Sequence, residues 1–96
     1  MAAVVTHHPQ ASRFEAATPA GLAVCSYRRQ GNVLVLHHTE VPPVLQGQGV
    51  AAELVAATLA WAREQGLRVR PRCSYVASYM RRHPQTQDLL ETQSDR

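Results

Sequence analysis

Three groups of residues in this 96-residue chain have types and spacings suited to chemistry. The first is Gln46-Gly47-Gln48-Gly49-Val50-Ala51, which joins an apolar run, Val33 to Val41, to an alanine-rich run starting at Gly49. A glycine-bearing turn that opens a helix aims several unpaired backbone N–H groups at one point, where the positive end of the helix dipole also lies. Phosphate or pyrophosphate suits such a turn, because glycine lets the backbone approach oxygen atoms closely. The second group is His37-His38-Thr39-Glu40, imidazoles and a carboxylate of the kind that moves protons. Adjacent strand residues point to opposite faces, so His37 and His38 neither line one pocket together nor chelate one metal, and no metal site is expected. His38 shares a face with Glu40, which makes that pair the candidate base. The third group is Cys73, a candidate nucleophile, with Ser74 and Tyr75 directly after it.

The elements that must position these groups follow from periodicity and turn chemistry. Ser12 to Thr18 is a weak strand, with Phe14 and Ala16 on one face, and Gly21 to Arg29 is a second. Gly31-Asn32 supplies a tight turn into a third strand, Val33 to Val41, so the three form an antiparallel meander. Val33-Leu34-Val35-Leu36 is apolar without interruption and implies burial on both faces; the polar residues that follow imply a wet strand end. Pro42 and Pro43 stop this strand.

Gly49 to Gln65 is the strongest helix, with Leu54, Thr58 and Trp61 on one side and Gly66 placed as a left-handed C-cap. Leu67 to Cys73 is a fourth strand, parallel to the third through a right-handed crossover. Ser74 is expected to N-cap a short second helix that runs to about Arg82 and ends at His83-Pro84. The fold class is therefore α/β (α+β), and ligands of such sheets lie beyond the carboxyl ends of the parallel strands. Glu40 and Cys73 are both placed there, beside the anion-binding turn, which suggests an acyl-transfer pocket.

Composition bounds the rest. The chain is 45% hydrophobic and 18% charged, enough for one small domain with a modest core. All ten basic residues are arginine, which excludes a lysine Schiff base or a Walker-type phosphate lysine. A formal charge of +3 suits an anionic ligand and is too small by itself to argue for nucleic acid. Two cysteines make no disulfide framework, the start of the chain shows no basic and apolar leader pattern, and no apolar run approaches a membrane span; a cytoplasmic protein without membrane association is expected. Residues 1–10 and 85–96 are expected to be loosely held.

The segment Gln46-Gly47-Gln48-Gly49-Val50-Ala51 resembles the Gln/Arg-x-x-Gly-x-Gly/Ala signature of the GNAT superfamily of acetyl-CoA-dependent N-acetyltransferases. With His38-Thr39-Glu40-Val41-Pro42 and Pro71-Arg72-Cys73-Ser74-Tyr75-Val76, it is similar to the minimal subgroup of that superfamily, and the likeness covers Gly21 to Pro84. The resemblance implies acetyl-CoA as cosubstrate, its pyrophosphate on backbone amides from Gln46 to Ala51 and its pantetheine arm between the splayed third and fourth strands, beside backbone groups of Val41. It implies that Cys73 lies near the CoA thiol. Glutamate bases and tyrosine acids of larger members do not carry over by motif, so Glu40 and Tyr75 stand as candidates only.

Direct transfer, with Glu40 or His38 as base, is the superfamily's default; an acetyl-cysteine on Cys73 is the second route. The acceptor is an amine, a small molecule or a protein tail, and the protein is expected to be a monomer or weak homodimer. Two other readings stand: a CoA-binding module with little or no transferase activity, and an arginine-rich nucleic-acid binder, ranked last for want of interleaved aromatics. Structural alternatives accompany each residue. Gly47 and Gly49 would serve a tight turn, Glu40 a solvated strand end, Cys73 and Cys25 the core, Trp61 and Tyr79 core or interface. Arg68, Arg70 and Arg72 alternate on one face and read as a solvated sheet edge. Phosphate binding by them, or by Arg81-Arg82, is the lesser reading. His7 and His8 are given no role.

Overall fold

A computed structural model describes residues 4–91. A five-stranded sheet in sequential order is built from β1 (Val5–His8), β2 (Arg13–Thr18), β3 (Gly21–Gln30), β4 (Val33–Glu40) and β5 (Arg68–Pro71). The first four strands are antiparallel and β5 runs parallel to β4. Helix α1 (Val50–Glu64) makes the crossover, and α2 (Ser74–Arg82) follows β5. Short 3-10 turns at Pro9–Ala11, Pro43–Leu45 and Pro84–Leu89 complete the described elements.

Residue choice explains the elements. Val33, Leu34, Val35 and Leu36 are all buried, and Leu34 and Leu36 join the main core with Phe14, Ala16, Ala23, Cys25 and Tyr27. Helix α1 lays Val50, Leu54, Val55, Thr58, Leu59 and Ala62 on that surface, the stripe expected of a helix that buries one face. Thr58 is wholly buried and donates its hydroxyl to the Leu54 carbonyl at 2.8 Å, so its polar atom is satisfied inside the helix. The helix ends in a Schellman arrangement. Gly66 takes a left-handed φ of 71°, its amide bonds to the Arg63 carbonyl, and the Leu67 amide bonds to the Ala62 carbonyl.

Three features depart from expectation. First, the meander has four antiparallel strands. Val5–His8 was expected to be loose, yet it pairs with β2, and His7 stacks on Phe14 with ring centroids 4.2 Å apart. The His7 imidazole also pairs with the Tyr27 hydroxyl at 2.6 Å and packs against Trp61. A polar residue at an inward position hides this strand from hydrophobic periodicity.

Second, Pro84–Leu89 is ordered and Leu89 is buried. Arg63 grips Asp88 with two bonds of 2.7 and 2.9 Å, and Arg70 grips Glu91 with two of 2.7 Å. Arg68 donates to the Asp88 carbonyl, and Leu90 bridges Val69 in parallel fashion. The arginine stripe is therefore not a bare solvated edge: Arg68 and Arg70 tie a following segment along β5. The parts of the two expected loose ends at residues 1–3 and 92–96 lie outside the described residues.

Third, β4 carries one extra residue. Ser26 pairs with His38 and Tyr27 with Leu36, which leaves His37 as a bulge. A bulge shifts the phase of side chains by one. Leu34 and Leu36 face the helices before it; after it Thr39 does, paired across the ladder with core residue Cys25.

Candidate active site

The β4–β5 ladder stops at Leu36 paired with Pro71, while β4 continues to Glu40 against β3 alone. The Leu36 carbonyl accepts from the amides of both Arg72 and Cys73, each at 2.9 Å, and this turns the chain out of β5 into α2. The two parallel strands thus diverge at their carboxyl ends, as the crossover geometry requires of a ligand site.

A cleft of about 450 Å³ opens at that place. Thr39 and Val41 line it from the strand side, Leu45, Gln46, Gly47, Gly49, Val50 and Ala51 from the turn, and Tyr75 and Arg82 from α2. Its size falls within the range typical of small-molecule sites, roughly 300–1,000 Å³. Six of the seven residues assigned to the cofactor from sequence, all but Gln48, stand in its wall.

The turn presents its donors as a helix N-terminus should. Gly47 and Gly49 have φ of 86° and 89°, conformations that L side chains rarely adopt, and Gly49 is the N-cap of α1. A Cβ at either would meet no atom of the protein within 4 Å, so the demand for glycine is conformational and the space above the turn is open. Among the described residues no backbone carbonyl accepts from the amides of Gly47, Gly49, Val50 or Ala51. Gln46 and Gln48 differ: their amides bond to the carbonyls of Pro43 and Leu45, both at 3.2 Å, because the 3-10 turn before the helix consumes them. Their side chains turn back as well, Gln46 to the Val41 carbonyl at 3.3 Å and Gln48 to that of Val44 at 3.4 Å. The donor set expected over Gln46 to Ala51 is narrower than its span, and the glutamines brace the loop.

Cys73 is the N-cap of α2, with extended φ and ψ of −84° and 131°. The cap was expected at Ser74, which is instead the first helical residue. The difference puts the thiol at the cap position, near the first amides of the helix but without a capping hydrogen bond to them. Burial acts to raise its pKa, but the amides of Val76 and Tyr75, the backbone of Thr39 and the Thr39 hydroxyl together outweigh it, and the thiol lies below its ordinary value. Its Sγ is 3.6 Å from Thr39 Oγ1. Cys73 is half-buried and not itself in the cleft wall; its neighbours Thr39 and Tyr75 are. Cys25 behaves oppositely. It is fully buried, and burial pushes its thiol up.

His38 and Glu40 do share a face, their side chains paired at 3.2 Å, but the bulge turns that face away from the helices. They are 54% and 69% exposed and do not line the cleft, where Thr39 stands instead. Thr39 was missed because its placement depends on the bulge, for which no local residue pattern speaks. Of the two arginines ending α2, Arg82 reaches the cleft and Arg81 lines a shallow groove beside Pro71 and Met80. No helix among the described residues is long and apolar enough to cross a membrane.

A model of the GCN5-related N-acetyl-transferase family matches residues 13–89. The structure is also similar to the solution structure of a GCN5-like candidate N-acetyltransferase from Staphylococcus aureus, with a TM-score of 0.75 and 26% identity over 95% of this chain and 90% of that one.

Proposed function

This chain belongs to the GCN5-related N-acetyltransferase family, and on that premise we propose that it binds acetyl-CoA in the cleft at the β4–β5 divergence and transfers the acetyl group to an amine. The observation that carries this is the set of open amides on Gly47, Gly49, Val50 and Ala51 at the front of α1, beside a gap between parallel strands. On this reading the pyrophosphate sits on those amides, with the positive end of the helix dipole behind them. Arg82 adds a fixed positive charge to the same wall. The pantetheine arm runs past Val41 along the unpaired side of β4, where an amide-bearing chain pairs as a short strand would. This carries the thioester toward Thr39, Tyr75 and Cys73.

The acceptor amine then approaches through the open face of the sheet. His38 and Glu40 stand on that face, outside the cleft wall and hydrogen-bonded to each other, and receive through water the proton the amine must lose as it attacks the thioester carbon. The C–S bond breaks, the acetyl group passes to nitrogen, and the departing CoA sulfur receives a proton from the Tyr75 hydroxyl. A second route is favoured by one specific observation, the place of Cys73 at the start of α2 with its Sγ 3.6 Å from Thr39 Oγ1 of the cleft wall, and the downward direction of its pKa agrees. In that route the Cys73 thiolate attacks the thioester carbon, CoA leaves as thiolate and is protonated, and the amine then displaces Cys73 from the acetyl-cysteine.

Titration with acetyl-CoA, followed by amide chemical shifts, tests the binding reading. The largest changes are expected at Gly47, Gly49, Val50 and Ala51; their silence under saturating acetyl-CoA overturns it. Mass analysis of the Cys73 peptide after acetyl-CoA addition without amine separates the routes, since only the second leaves one acetyl group on sulfur.

A further inference from the structure

The chemistry proposed for the cleft does not use Thr39, yet Thr39 lies next to Cys73 and pairs across the ladder with Cys25. It lines the cleft wall, and its Oγ1 lies 3.6 Å from Cys73 Sγ. Directly across the ladder is Cys25, wholly buried. A hydroxyl has one hydrogen to give and two lone pairs with which to accept. Thr58, beside the same core, has committed its hydrogen to the Leu54 carbonyl. Cys25, shielded by the core, keeps its proton at neutral pH. It makes no call on the Thr39 hydrogen, which is left for the sulfur on the cleft side.

We propose that Thr39 is a positioning residue for Cys73: its hydroxyl accepts the thiol hydrogen at rest, then rotates to donate to the sulfur once the thiolate forms, holding it against the Tyr75 and Val76 amides. The bulge at His37 makes this possible, because without the phase shift Thr39 would face away from the helices. A hydroxyl that rotates in place suits both charge states of the thiol, which a fixed carbonyl or amide does not. The direction of the Cys73 shift agrees, since the Thr39 hydroxyl is among the groups that lower it. The inference rests on the reading that Cys73 works at the reacting end of the cleft.

The test needs neither acetyl-CoA nor an acceptor, so its failure and that of the proposed function are distinguishable. The rate of Cys73 alkylation by iodoacetamide is measured against pH, with the modified site identified by mass spectrometry. In Thr39→Val, which keeps the shape and removes the hydroxyl, the thiolate fraction at neutral pH is expected to fall about tenfold, the order expected for one hydrogen bond to a charged group. Thr39→Ser is expected to stay within about twofold of the parent profile, because the hydroxyl is retained. If Thr39→Val perturbs folding, Thr39→Ala carries the same expectation. A Thr39→Val or Thr39→Ala profile that overlies the parent overturns the proposal, and so does a Thr39→Ser profile that falls as far as either. Acetyl transfer by the parent protein, assayed in parallel, reports on the proposed function alone.

Discussion

The two helix N-termini that border the cleft present free amides in different ways. At α1 the cap is a glycine in the left-handed region, no side chain caps the amides, and the donors open into the cleft. At α2 the cap is Cys73 in an extended conformation, and the nearby amides of Tyr75 and Val76 help to lower its thiol pKa without a capping hydrogen bond. On the proposed reading, one terminus is open to an anion that arrives from outside, while the other favours an anion the protein makes itself. The same dipole serves both, and the cap residue decides which.

The strongest way to break this comparison is Cys73→Ala. On the acetyl-cysteine route, acetyl transfer falls about 100-fold or more, in the range seen for loss of a group that acts at the reacting bond, while acetyl-CoA affinity is kept; on the direct route it stays near the parent rate. Steady-state kinetics with calorimetric binding checks it, and full activity would remove the thiol from the chemistry.

Gly49→Val is expected to do the opposite. A β-branched residue in the left-handed region costs about 1–2 kcal/mol, so acetyl-CoA binding weakens about tenfold or more as the turn shifts. The alkylation profile of Cys73 stays in place. A variant that binds as the parent does would show that the open amides are not the anion site.

A smaller effect sharpens the contrast between the two thiols. The midpoint of Cys73 alkylation against pH is expected below that of an unperturbed thiol, about 8.5, whereas Cys25 stays unmodified until the protein unfolds. The reverse order would place the thiolate-stabilising amides elsewhere.

The smallest effect is a distant control. Arg70→Met removes both bonds to Glu91 and is expected to leave both helix termini untouched while amide exchange quickens along residues 84–91. Acid should act likewise. The hydrogen bond and charge of Arg70 hold the Glu91 carboxyl below its ordinary value, so its contribution is full above the usual carboxylate range and is lost as pH falls through the folded value. Hydrogen exchange across pH checks both, and an altered acetyl-CoA affinity would show that the C-terminal segment couples to the cleft.

Much of the cleft was legible because its cause is local. Two glycines between a strand and an alanine-rich helix declare a left-handed turn, and both take φ near 90°. Gly66 likewise ends α1 as expected. Position 7 was illegible for the opposite reason: an imidazole does not read as core, and only the rings of Phe14, Tyr27 and Trp61 make it inward-facing. The C-terminal segment shares that fate, since Asp88 and Glu91 read as polar tail until Arg63 and Arg70 are placed beside them.

Sequence alone determined the strand, glycine turn, helix and parallel strand unit, because propensity, turn chemistry and apolar runs act over a few neighbouring residues. Tertiary structure decided which face of β4 meets the cleft, and which residue caps α2. Both depend on pairing between distant strands: the extra residue at His37 appears only when β4 is set against β3, and Cys73 becomes the cap only when the Leu36 carbonyl holds Arg72 and Cys73 together. A shift of one residue in such a ladder exchanges inside for outside, which is why Thr39, and not His38 or Glu40, stands beside the thiol.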